Sequence, residues 1–203
     1  MILVGRYLSP FVRRVAITLD LYGMPFEHRP LSTMTDLEAI KTLNPVGRVP
    51  VLTLDDGESL VDSAAILDHL DEVAGPARAL VPPAGPERRR VLNRLAVVVG
   101  TMEKAVGYVY ETRRRPAERQ HQPWIDTLKG QVAGGLAALE AADPQPWLAG
   151  LSMTQADVSA AVLVDFLRAM APELLPAGSH PKLEALAARL ATTPAFQKAA
   201  VPT

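Results

Sequence analysis

Three short stretches in the first third of the chain carry residues whose types and spacing can do chemistry. Ser9-Pro10-Phe11-Val12-Arg13-Arg14 sets a hydroxyl directly ahead of a proline, the order that opens a helix with serine as N-cap and proline at the first helical position. The same geometry has a second use, because a hydroxyl beside the unpaired N–H groups of a helix start favours a bound anion. In Asn44-Pro45-Val46-Gly47-Arg48-Val49-Pro50-Val51-Leu52, a proline before an apolar strand removes one ladder donor. With a trans bond this is an ordinary strand start; with a cis bond, the Val49 N–H and C=O can face outward and pair with an extended peptide. Asp62-Ser63 heads a helical pattern and serves either as a capping pair or as a receptor for a free amino-acid end. In the second role the Asp62 carboxylate takes an ammonium, and the Ser63 hydroxyl with the helix N–H groups takes a carboxylate.

These residues need strands and helices to hold them. Ile2 to Tyr7 reads as a buried strand, and Pro10 to Tyr22 carries Val12, Val15, Ala16 and Leu19 at helical spacing. Phe26 to Arg29 is a second strand, and Leu37 with Ile40 gives one or two helical turns stopped by Asn44-Pro45. Val51–Leu54 and Ser59–Val61 flank the hairpin signal Asp55-Asp56-Gly57-Glu58, and Ser63 to Val73 is helical again. The order βαβ, connector, ββα predicts a parallel first half with a right-handed crossover and an antiparallel hairpin beside it.

Gly75, Pro76, Pro82, Pro83, Gly85 and Pro86 then interrupt both kinds of pattern, and everything later reads as helix. The predicted organisation is a domain over 1–75, a linker over 76–86 and an all-helical domain over 87–203. Val91, Leu92, Leu95, Val99, Met102, Val106 and Tyr110 form one long stripe, and Trp124 to Leu139 and Leu183 to Leu190 form others. Val158 to Met170 is apolar on nearly all sides, which suits the centre of a bundle. Thr154 and Asp157 have capping-box spacing, a structural role. Arg88–Arg90 and Arg113–Arg115 read as solvated helix ends.

With 203 residues, 48% of them hydrophobic, the chain can fill real cores. A net charge of -1 gives no field to draw it to nucleic acid or an anionic membrane. The absence of cysteine removes disulfides, thiolate zinc sites and mixed-disulfide chemistry. His28, His69, His121 and His180 lack ligand spacing, so no metal is expected. Neither a signal-peptide core nor an apolar run near the ~20 residues of a membrane span is visible, and the expected location is cytoplasmic.

Taken together, the three stretches, their order and the helical second half resemble the glutathione transferase family, and its bacterial serine-type members in particular. The resemblance implies a thioredoxin-like α/β domain followed by an all-α helical bundle. It implies that Ser9 hydrogen-bonds the glutathione thiolate and that Val49-Pro50 is a cis-proline pair docking the cysteinyl backbone. It implies further that Asp62-Ser63 holds the γ-glutamyl end and that Arg48 lies near the peptide. Relatives commonly carry Glu or Gln where Asp62 stands and Lys where Arg48 stands, so charge is kept and reach altered. No residue is assigned to the glycine carboxylate, Thr33, Thr35 and Lys41 being only nearby in sequence, and Tyr7 rivals Ser9 because other classes use a tyrosine at the end of the first strand. Met102, Val106 and Tyr110 either line a pocket for an apolar co-substrate or pack the core. The implied activity transfers glutathione, bound as co-substrate without a metal, to a small hydrophobic electrophile, in a homodimer. The alternatives are a non-catalytic binding protein on the same scaffold and a glutathione-dependent isomerase or dehalogenase.

Overall fold

A computed structural model describes residues 1–201. They form two compact units: residues 1–83 together with the segment from Thr192 onward, and residues 84–191.

The first unit runs β1 (Ile2–Val4), α1 (Pro10–Tyr22), β2 (Glu27–Arg29), α2 (Leu37–Lys41), β3 (Val51–Thr53), β4 (Ser59–Val61) and α3 (Ser63–Ala74). Its sheet has the order β2-β1-β3-β4. The β1–β2 pair is parallel, with Leu3 opposite His28, and β3 runs antiparallel to both β1 and β4, with Leu52 opposite Leu3 and Leu60. This is the predicted thioredoxin-like arrangement. The apolar face of α1 explains its place: Val12, Val15, Ala16 and Leu19 are fully buried, and α1 lies against β1 and α3. Gly23, in the left-handed region, ends α1 and turns its N–H back to Asp20.

Strand β1 ends at Val4 and not at Tyr7. A Cβ on Gly5 would sit 2.5 Å from Val12 Cγ2 and 2.9 Å from Val49 Cβ, and Gly5 has φ +126°. Only glycine admits the chain there, and the backbone leaves the sheet at once. Tyr7 therefore lies in a turn.

A further helix, α8 (Pro194–Lys198), docks on α1 and groups with the first unit, where the sequence placed it in the helical domain. Ala195, Phe196 and Ala199 are buried there. Five residues are too few to show a helical period, so nothing local tells which core they enter.

The second unit contains α4 (Gly85–Val109), a π-helical turn over Tyr110–Arg114, α5 (Gln122–Ala141), α6 (Gln155–Met170) and α7 (Pro181–Ala191), with short 3-10 turns at Ala117–Arg119 and Pro172–Leu174. Helix α4 lies against α5 and α6, and α6 against α7. Every residue of α6 from Gln155 to Val164 is buried, as expected of a central helix. At Gly135 a Cβ would come 1.9 Å from Thr101 Oγ1, so α4 and α5 meet closest where α5 has no side chain. Thr154 and Asp157 form the capping box that starts α6. No helix among the described residues is long and apolar enough to cross a membrane.

Candidate functional site

Ser9 is the N-cap of α1, with extended backbone (φ -71°, ψ 119°) and Pro10 as the first helical residue. Its Oγ accepts from the Val12 N–H at 3.5 Å, the far limit of a hydrogen bond. Among the described residues the Ser9 hydroxyl donates to no acceptor, and the residue is half-buried. The geometry thus holds a hydroxyl at a helix start while engaging it weakly.

The loop ahead of β3 is set by Asn44, whose side chain is buried. Its Nδ2 donates to Arg48 C=O at 2.9 Å and its Oδ1 accepts from Val46 N–H at 3.0 Å. The Val49-Pro50 bond is cis. Among the described residues, the Val49 N–H and C=O make no backbone hydrogen bond, and Val49 Cβ lies over Gly5. Arg48 is exposed.

At the start of α3, the exposed Asp62 caps the helix by accepting from Ala64 N–H at 2.8 Å. Its φ of +68° is a conformation that a residue with a Cβ adopts only when its surroundings enforce it. Ser63 is buried, and its Oγ accepts from Arg14 Nε at 3.2 Å and Arg14 Nη2 at 2.9 Å. A hydroxyl receiving two guanidinium N–H groups has its lone pairs taken, which leaves its own O–H to act as donor. Burial lowers the Arg14 pKa to about 10, while nearby Asp62 acts in the opposite sense. Arg14 remains charged at neutral pH. Arg14 belongs to the first motif without an expected role there; the signal for it was two consecutive arginines beside the apolar face of a helix.

Two neighbouring features of α1 join these pieces. Val12 meets the Gly5–Val49 contact, and Arg14 reaches Ser63, so one helix touches both the proline loop and the start of α3.

Tyr7 stacks flat on His28, with ring centroids 3.9 Å apart and planes 2° from parallel. His28 Nε2 lies 2.7 Å from Gly5 C=O, which makes Nε2 the protonated nitrogen. Burial, with Asp20 adding, pushes the Tyr7 phenol pKa up, so Tyr7 keeps its proton. Thr35 Oγ1 donates to Asp36, and Lys41 pairs with Glu38 at 2.8 Å; both residues are exposed. Thr33 is half-buried.

In the helical unit, Met102 is fully buried, Val106 is half-buried and Tyr110 is 46% exposed with the Arg114 guanidinium 3.9 Å from its ring centre. Arg113, Arg114 and Arg115 are all exposed, as read from the sequence. Arg115 Nε pairs at 2.8 Å with Glu111, a buried carboxylate that also accepts from His121 N–H at 3.0 Å. The π-helical turn carries Glu111, and the sequence gave no sign of it.

Residues 3–78 match the family model described as "Glutathione S-transferase, N-terminal domain", and residues 100–198 match "Glutathione S-transferase, C-terminal domain". A maleylacetoacetate isomerase of Pseudomonas aeruginosa is 32% identical, covering 95% of this chain and 92% of that protein. The uncharacterised GST-like protein YibF of Escherichia coli is 33% identical, covering 68% of this chain and 67% of that protein. Among solved structures, a glutathione S-transferase from Methylobacterium radiotolerans in complex with glutathione sulfonate superposes with a TM-score of 0.91 at 29% identity, covering 99% of this chain and 94% of the other. A glutathione transferase family member from Pseudomonas fluorescens with bound glutathione superposes with a TM-score of 0.88 at 29% identity, covering 100% and 99%.

Proposed function

Because the chain belongs to the glutathione S-transferase family, we propose that its first unit binds glutathione, that Ser9 holds the thiol as thiolate, and that the thiolate attacks a small electrophile. The observation that carries this reading is the Ser9 hydroxyl, which sits at a helix start yet is held by a single long contact of 3.5 Å. A free thiol of pKa about 8.5 is only a few per cent ionised at neutral pH. Lowering it by ~2 units requires roughly 2.7 kcal/mol of preference for the anion, which a hydroxyl donor with α1 N–H groups can supply. With the Tyr7 ring stacked on His28 and Ser9 at the start of α1, Ser9 is our choice for the thiol contact, consistent with a serine-type member.

The remaining contacts follow from the groups still available for bonding. The Val49 N–H and C=O take the cysteinyl backbone in strand fashion. The Asp62 carboxylate takes the γ-glutamyl ammonium, and the Ser63 O–H with the first N–H groups of α3 takes its carboxylate. The exposed Arg48 offers its cation beside the peptide. On the helical unit, Val106 and Tyr110 offer surface to an apolar electrophile, while Met102 belongs to the core. We place the reaction in the cytoplasm and in a homodimer, which light scattering at micromolar concentration tests directly.

A second reading is favoured by the isomerase relative, which aligns over 95% of the chain. The same thiolate can add to a conjugated double bond and leave again after rotation, returning glutathione unchanged. Counting glutathione before and after turnover separates the two: conjugation consumes one per product, isomerisation none. A protein that bound glutathione with an unshifted thiol pKa would instead be a non-catalytic member.

A further inference from the structure

Arg13 and Arg14 are adjacent on α1, both almost fully buried, and they point to different partners. Arg14 reaches Ser63, as described. Arg13 Nε donates to the C=O of Ala199 at 2.8 Å, and its guanidinium lies 5.6 Å from the centre of the Phe196 ring. Near the other end of α1, Lys198 Nζ pairs with Asp20 at 3.0 Å. The C-terminal segment therefore grips α1 at both its first and last turns.

The first turn is the one that matters for the site. The Arg13 N–H donates to Ser9 C=O at 3.0 Å, closing the turn that Ser9 opens. A guanidinium that is 4% exposed must stay hydrogen-bonded, because an unpaired buried charge is costly. Ala199 is the C-cap of α8, where carbonyls lack partners within the helix, so its C=O is a natural acceptor for a cation. Phe196 and Ala199 are themselves buried against this contact and have little freedom to follow a displaced arginine.

We propose that Arg13 is a positioning residue of the glutathione site: anchored by Phe196 and Ala199 of the C-terminal segment, it fixes the first turn of α1 and so the aim of the Ser9 hydroxyl. This inference rests on the reading of Ser9 as the thiolate donor. It assigns the last helix a part in thiol activation, although the segment lies more than 180 residues away along the chain. The two arginines then divide the work, Arg14 serving the γ-glutamyl end and Arg13 serving the thiol.

The test uses the full chain with Ser9→Ala, Arg13→Met, Arg13→Lys, Phe196→Leu and Arg14→Lys. Bound-thiol pKa is read from thiolate absorbance against pH, and affinity for S-methylglutathione, which has no thiol to ionise, is read by calorimetry. Arg13→Met is expected to raise the bound-thiol pKa by about half a unit or more, with Arg13→Lys and Phe196→Leu between it and the wild type. S-methylglutathione affinity should stay within about twofold in these three and fall by more in Arg14→Lys. If Arg13→Met does not fold, Arg13→Lys and Phe196→Leu carry the comparison. Should Ser9→Ala raise the pKa while the Arg13 and Phe196 variants titrate like the wild type and lose only melting temperature, Arg13 is a structural residue and the proposal is overturned. Should Ser9→Ala itself leave the pKa unchanged, the reading beneath the proposal fails first.

Discussion

Two helix starts in this protein are built from the same kinds of residue and used in opposite ways. At α6, Asp157 is fully buried and accepts from Leu148 N–H at 2.7 Å and from both the N–H and the Oγ1 of Thr154 at 2.8 Å. At α1, the Ser9 Oγ has one contact of 3.5 Å and, among the described residues, no acceptor for its proton. The first start spends its polar groups on the fold, and the second keeps them for a ligand. Both are capping sequences and only α6 has capping-box spacing; the larger difference is how far the hydrogen-bonding capacity is already used.

The largest effect that can sharpen this contrast is on stability. Asp157→Ala should destabilise the protein by about 3 kcal/mol or more, because three buried donors lose their acceptor, while Asp157→Asn, which keeps one acceptor oxygen, should cost less. Urea denaturation measures both. A loss in Asp157→Ala below about 1 kcal/mol would break the comparison from the structural side.

Ser63 stands between the two cases, since it holds Arg14 and is also assigned to the ligand. Ser63→Ala should cost about 1 to 3 kcal/mol of stability by removing the acceptor of two guanidinium N–H groups. Asp62→Ala should lower glutathione affinity about tenfold and also cost about 1 to 2 kcal/mol of stability, since it removes the N-cap of α3 and puts alanine at φ +68°. Calorimetry that found unchanged affinity in Asp62→Ala would move the γ-glutamyl site elsewhere.

A smaller effect is expected at the π-helical turn. The His121 N–H, then Arg115, hold the Glu111 carboxyl below its ordinary pKa. A lowered folded pKa means that the carboxylate's contribution is present above the unfolded value near about 4.3 and is lost as pH falls through the folded one. Glu111→Gln should therefore flatten the acid limb of melting temperature against pH, below about pH 5, and leave the neutral region parallel to the wild type. Identical acid limbs would show that Glu111 takes no part in the acid response.

Much of this was legible in the chain. The βαβ-ββα order and the central helix followed from periodicity and punctuation, because Gly23, Asn44-Pro45, Asp56-Gly57 and the linker prolines act locally. What escaped depends on residues distant in sequence. Strand β1 stops at Val4 because Val12 and Val49 converge on Gly5, which no window around Gly5 shows. Arg13 and Arg14 carry no assigned role in the sequence, because their partners Ala199 and Ser63 are distant along the chain. Of the site itself, the stretches around Ser9, Pro50 and Asp62 were visible as motifs, while the supporting contacts made by Asn44, Arg13 and Arg14 within those stretches were not.

The claim on which the account turns is that the loosely held start of α1 exists for a thiolate. Ser9→Ala puts it to the most direct test, with the thiolate absorbance of bound glutathione titrated against pH in both proteins. The bound-thiol pKa should rise by about one unit or more in Ser9→Ala, while stability falls by less than about 1 kcal/mol because the capping contact is already long. Coincident titration curves with a stability loss of about 1 kcal/mol or more would contradict it, making Ser9 a plain N-cap and Tyr7 the next hydroxyl to test.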